Sequence, residues 1–283
     1  IKILIMLFTV SCFITSCGTN IFESFVDETE ETDLSTLLDE AETEEDYNNI
    51  ITEAETIINS ASSSDTEKGT AYKAKSEAII GKVDLSPIDV FDDVNTAAKD
   101  DVNPLSELNV DVDQDLLIEA ANSLASANAL GVSNTDDENI LKGVVNSLVV
   151  INTIDESLDI DDDGSISLSS DVDSYWAALA DIVYPSDTDT STDISDYTEN
   201  AYEGFEDSNS LKSSQLEQLE DINEGLDEVM DLYTAIINQT AYEDPSGSTI
   251  DYSDYTALTA SSTPSSSLDS IIEEQLEAIF EDI

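Results

Sequence analysis

The stretch "DENILKGVVNSLVVINTIDES", residues 137–157, decides the fold class. Its apolar residues Ile140, Leu141, Val144, Val145, Leu148, Val149 and Ile151 follow the steps of three and four that line one side of an α-helix. It is the most apolar helical segment of the chain, so it is expected at the centre of the core.

The same period recurs on both sides of this segment. Over 46–60 the apolar positions are Tyr47, Ile50, Ile51, Ala54, Ile57 and Ile58; the turn "NSASSSD" follows, and then a second helix over 66–82. Ala71, Ala74 and Ala78 in that helix are small enough to let a neighbour approach closely. Residues 83–94 read as a turn and a short helix with Pro87 at its first position, and 113–129 as a further amphipathic helix. Trp176, Leu179 and Ile182 keep helical spacing within 172–183, whereas 185–198 reads as an exposed loop. Within the helix expected over 211–238, Leu219, Ile222, Leu226, Val229, Tyr233 and Ile236 form a heptad seam, read as packing against the protein's own helices. Residues 240–266 read as a polar linker, and 267–283 as a last amphipathic helix.

The fold class is therefore all-α. The helix pair over 43–82, "EEDYNNIITEAETIINSASSSDTEKGTAYKAKSEAIIGKVDLSP" with its flanks, resembles one tetratricopeptide unit: helix, turn, Ala-striped helix, then Gly81 and Pro87. That resemblance implies a short α-solenoid with acidic loops. No second copy follows at a period of about 34 residues, and stable solenoids use three or more units, so a non-repeating helical bundle stands beside it.

Charge bounds the chemistry. Against 65 Asp and Glu stand 8 basic residues, all Lys, for a net charge of -57, and His and Arg do not occur. Imidazole bases and ligands, Arg clamps and a basic footprint for nucleic acid are thereby excluded. Cations and basic proteins are attracted instead. Self-repulsion of this size is relieved in a saline medium, where the Debye length falls from about 10 Å toward 3 Å; an acidic surface without adaptive meaning is the plainer alternative.

The first residues, "IKILIMLFTVSCFITSCGTN", combine Lys2, an apolar run over 3–14 and small residues before Cys17, the pattern of a secretory signal. Ile14-Thr15-Ser16-Cys17 resembles the lipobox of bacterial lipoproteins. The resemblance implies cleavage before Cys17, acylation of its thiol and new amino group, and a lipid bilayer as partner. Gly18 in place of Asp implies outer-membrane sorting within the cell envelope. Several acyl chains suffice for stable anchoring, at about 0.8 kcal/mol per buried methylene. The expected organisation is a signal peptide over 1–16, a lipidated tether over 17–32 and a helical domain over 33–283. Cys12 leaves with the signal and Cys17 is taken by lipid, which leaves no thiol for a disulfide or for catalysis.

The stretch "SLDIDDDGSISLSSDVDSYW", 157–176, resembles an EF-hand or dockerin-like calcium loop over 159–170. In that register Asp159, Asp161 and Asp163 stand at positions 1, 3 and 5, Gly164 at 6, Ser165 at 7 and Ser167 at 9. Position 12 is Ser170, where the closing bidentate carboxylate belongs, and Asp171 follows one residue late. Such a loop implies weak calcium binding, on the order of 10⁻⁴–10⁻³ M. The alternative is an acidic turn in which Ser170 or Asp171 caps a helix leaving from about 171. A second acidic run, "NVDVDQD" over 109–115, reads as a helix start.

No nucleophile elbow, phosphate loop or Cys/His constellation is present, and 65 carboxylates single out no acid–base pair. The expectation is a non-catalytic, membrane-anchored envelope scaffold for a protein or peptide partner. A calcium- or cation-binding surface protein is the alternative, and a carboxylate-dependent envelope hydrolase the third class.

Overall fold

The computed structural model describes residues 34–83, 112–160, 166–170, 172–185, 192–208, 213–244, 247–256, 258–259 and 262–282. Helices dominate: α1 (Leu34–Glu40), α2 (Glu44–Asn59), α3 (Asp65–Lys82), α4 (Gln114–Ala129) and α5 (Asp136–Ser157) come first. After a hairpin of β1 (Leu158–Ile160) and β2 (Ile166–Leu168) follow α6 (Tyr175–Val183), α7 (Ile194–Ser208) and α8 (Ser213–Asn238). A second hairpin, β3 (Ala241–Glu243) and β4 (Thr249–Asp251), leads to α9 (Ser266–Asp282). The fold is an all-α helical bundle with two small antiparallel ribbons.

Local chemistry starts the helices. Thr43 with Asp46, Ser64 with Glu67 and Thr135 with Glu138 form reciprocal capping boxes at the N-termini of α2, α3 and α5. Each satisfies two otherwise orphaned backbone donors, and its acidic member also sits at the positive end of the helix dipole. Ser174 caps α6, and Asp269 of α9 accepts the Trp176 backbone N–H at 3.1 Å, so one helix is capped by another.

Helices adjacent in the chain pack together from α1 to α5, and α7 then lies against α5. One core joins Leu34 of α1, Ile50 and Ala54 of α2, and Ala71, Ala74 and Ala78 of α3. The larger core is built on α5, where Leu141, Val144, Val145, Leu148 and Val149 are all buried. Around it gather Leu117 and Leu124 of α4, Trp176 and Leu179 of α6, Tyr197 and Phe205 of α7, and Leu226 and Val229 of α8. Tyr233 and Ile236 continue the buried seam of α8, so these four heptad residues pack within the chain; the side chains of Leu219 and Ile222 lie outside the described residues.

Lysine is used as an internal clamp. Lys73 on α3 lies 2.9 Å from Glu138 on α5, both nearly buried, and also donates to the Ser133 carbonyl at 2.7 Å. Lys75 bridges Glu55 of α2 and Glu119 of α4, each at 2.8 Å. Lys142 of α5 reaches Glu203 of α7 at 2.6 Å.

Three expectations are corrected. Residues 240–266 contain a hairpin and a short 3-10 turn, with Tyr242, Tyr252 and Leu258 buried, rather than forming a polar linker. The segment expected as a loop over 185–198 becomes helical at Ile194, because Ile194, Tyr197, Ala201 and Phe205 reach the core at helical spacing through a polar sequence. The helix after the acidic loop begins at Tyr175 rather than near 171, with Ser174 as its cap. The short helix expected over 83–94 and the tether over 17–32 lie outside the described residues.

Candidate cation site

Helix α5 ends at Ser157 because Leu158 turns to an extended backbone, and its N–H closes the last turn on the Ile154 carbonyl. The chain goes directly into β1, which returns as β2 with Leu158 opposite Leu168, Asp159 opposite Ser167 and Ile160 opposite Ile166. Alternation of side chains along a strand explains the exposure pattern: Leu158 and Ile166 are buried, whereas Asp159 and Ser167 are exposed. The loop between α5 and α6 is thus a hairpin with a five-residue connection, 161–165, and not a simple helix–loop–helix joint.

Of the proposed ligands, the hairpin places Asp159 and Ser167 side by side on its outer face. Ser167 Oγ lies 3.5 Å from the Asp159 carbonyl oxygen. Asp161, Asp163, Gly164, Ser165 and Asp171 lie outside the described residues, as does Cys17. Ser170 is an exposed turn residue.

The structure adds carboxylates that the loop pattern did not contain. Asp113 caps α4 by accepting the Asp115 N–H at 3.0 Å, as the helix-start reading of 109–115 expects. Gln114 then ties this end of α4 to the last turns of α5, donating to Thr153 Oγ1 at 2.6 Å and accepting from Asn152 at 2.8 Å. Asp113 and Asp115 are thereby brought toward Glu156, whose helix end carries no basic residue.

This crowding raises proton affinity. Partial burial, then the charge of Asp159, lifts the Asp155 carboxyl above its ordinary range. Burial, then Asp155, lifts that of Glu156, against a hydrogen bond from Asn152, with Asp113 and Asp115 adding to the effect. The negative end of the α5 dipole has the same sign, so this edge of the molecule favours any cation. Among the described residues, no three acidic side chains converge closely enough to enclose a metal ion.

In the sequence the acidic run over 109–115 and the end of α5 stand about 40 residues apart. Gln114, Asn152 and Thr153 tie the start of α4 to the last turns of α5, and a polar contact between residues so far apart in the chain leaves no periodic signal. No known protein family, curated protein or solved structure matches the chain.

Proposed function

We propose that the protein is a lipid-anchored scaffold of the bacterial envelope whose acidic helical body binds a basic protein or peptide. The observation that carries this reading is the use of lysine. Lys73, Lys75 and Lys142 are engaged in ion pairs between helices, so these cations serve the interior while carboxylates dominate outside. A surface of one sign concentrates partners of the other and steers their approach. Anchoring rests on the lipobox-like Ile14-Thr15-Ser16-Cys17, with the outer membrane as destination. Among the described residues, no helix is long and apolar enough to cross a membrane.

Labelling of cells with a palmitate analogue tests the anchor: incorporation into wild type that disappears in Cys17→Ser supports it, and labelling that survives the change overturns it. Pulldown from envelope extract tests the scaffold, the expected outcome being a basic partner retained at low salt and released at high salt. Capture that is indifferent to salt opposes an electrostatic interface.

A second reading, weak calcium binding at the β1–β2 hairpin, is favoured by Asp155 beside Asp159, with Asp113 and Asp115 near the adjoining Glu156. Calorimetric titration of wild type and Asp161→Ala with calcium decides it. Absence of heat at millimolar calcium removes the ion.

A further inference from the structure

Helix α1 is only seven residues long, too short to persist without packing. Leu34, buried, and Leu37 and Leu38, partly buried, hold it on the α2–α3 pair against Ile50, Ala54, Ala71, Ala74 and Ala78. On α3, one turn after Ala74, stands Glu77, which is 8% exposed and whose Oε1 has no hydrogen-bond partner.

The charged groups facing Glu77 come from three elements. Asp39 approaches from α1, Glu138 from α5, and Lys73 from one turn earlier on α3 itself. Lys73 is the one cation among them, and it is already engaged by Glu138 and the Ser133 carbonyl. From α2 and α4, Glu55 and Glu119 go to Lys75. A neutral carboxyl is tolerated in such a place; an ionised one would stand buried near two other carboxylates, with Lys73, the cation beside it among the described residues, already engaged.

We propose that protonated Glu77 is a latch that holds α1 against α2 and α3, and that loss of this proton releases α1 while the larger core stays folded. Burial first, then Glu138 and Asp39, push the Glu77 carboxyl up to about 8, with Lys73 opposing only in part. Release of α1 hydrates Glu77 and moves Asp39 away, so the open form holds the proton less tightly than the closed form. The open share therefore rises with pH from near the ordinary glutamate value of 4.5 to about 8, and levels off above it. Residues 34–42, once free, give the body up to about 30 Å of additional reach.

Hydrogen exchange on the full chain tests the latch, with wild type and Glu77→Gln compared at each pH so that the intrinsic chemistry of exchange cancels. The expected result is that protection of the α1 amides in wild type falls at least about tenfold relative to the variant between pH 5.5 and 8. At pH 8 the α1 amides are expected to exchange well before those of α5. Asp39→Asn, an exposed change that keeps the core intact, should shrink the pH response and carries the test even if Glu77→Gln folds poorly. A pH response of α1 that neither variant alters overturns the proposal, as does a single protection factor shared by α1 and α5 throughout.

Discussion

Gly204 of α7 lies directly on Gly143 of α5: a methyl group at Gly204 would stand 2.5 Å from the Gly143 nitrogen and 2.6 Å from the Asn139 carbonyl oxygen. The obstacle is backbone, which has no rotamer to move. Two helices meet here main chain to main chain, and Lys142 and Glu203, each the preceding residue, join across the same crossing at 2.6 Å.

Gly204→Ala should therefore destabilise the protein by about 1–2 kcal/mol despite alanine's better helix propensity, because overpacking against backbone falls in the upper part of a range of about 1–3 kcal/mol and the propensity gain is about 1 kcal/mol at most. Gly143→Ala meets the Phe205 ring, at 2.8 Å, which can shift, and should cost less. Urea unfolding of the two variants, ranked by midpoint, checks the order.

Lys73→Met should cost about 3–5 kcal/mol, because it leaves Glu138 buried and unpaired beside Glu77. Adding Glu138→Gln should recover much of the loss, since the uncompensated charge is then gone. A double-mutant cycle by chemical denaturation reads the coupling, and additive losses would show that the pair carries none.

The Glu77 carboxyl titrates at about 8 in the folded protein against 4.5 ordinarily, so the native state binds the proton more tightly than the unfolded chain. For a carboxyl shifted upward, stability is greatest below about 4.5 and declines as pH rises to about 8, after which this contribution is constant. Glu77→Gln should flatten that decline and be about 3 kcal/mol more stable than wild type at pH 7. Denaturant midpoints at pH 5, 7 and 9 measure it.

Trp176 is fully buried, stacks on Tyr233 with ring centroids 5.1 Å apart, and donates its indole N–H to the Thr259 carbonyl at 3.0 Å. Trp176→Phe should cost about 2 kcal/mol through the lost hydrogen bond and reduced stacking. As the sole tryptophan, Trp176 reports unfolding of this half of the core by fluorescence; the variant's loss is read by circular dichroism.

With a net charge of -57, the folded state is opposed by its own field, so the melting temperature should rise between 10 mM and 1 M sodium chloride. The Lys73–Glu138 pair, being buried, is screened little, so its coupling should survive the added salt. A melting temperature that falls with salt would show that specific exposed ion pairs outweigh the general repulsion.

Helix α5, the helix pair α2–α3 and the four seam residues of α8 were legible because burial writes a period of 3.6 into the sequence. The acidic loop was legible as a run of oxygen ligands, yet its hairpin was not, since "LDI" and "ISL" are too short to establish a period of two. Helix α7 was missed for a related reason: its buried residues are diluted by outward-facing Asp and Glu, and two of the buried residues, Thr198 and Ser208, are themselves polar.

The sequence by itself determined the all-α class, the segments able to cap and bury a face, and a strongly acidic charge balance without histidine or arginine. Those properties are local or summed, and each is carried by neighbouring residues or by composition. Only the tertiary structure decided that Gly143 meets Gly204, that Gln114 ties the start of α4 to the last turns of α5, and that Glu77 is buried near Asp39 and Glu138. Such pairings depend on how helices cross, and the crossing is set by side-chain shape across distances in the chain that no periodicity records.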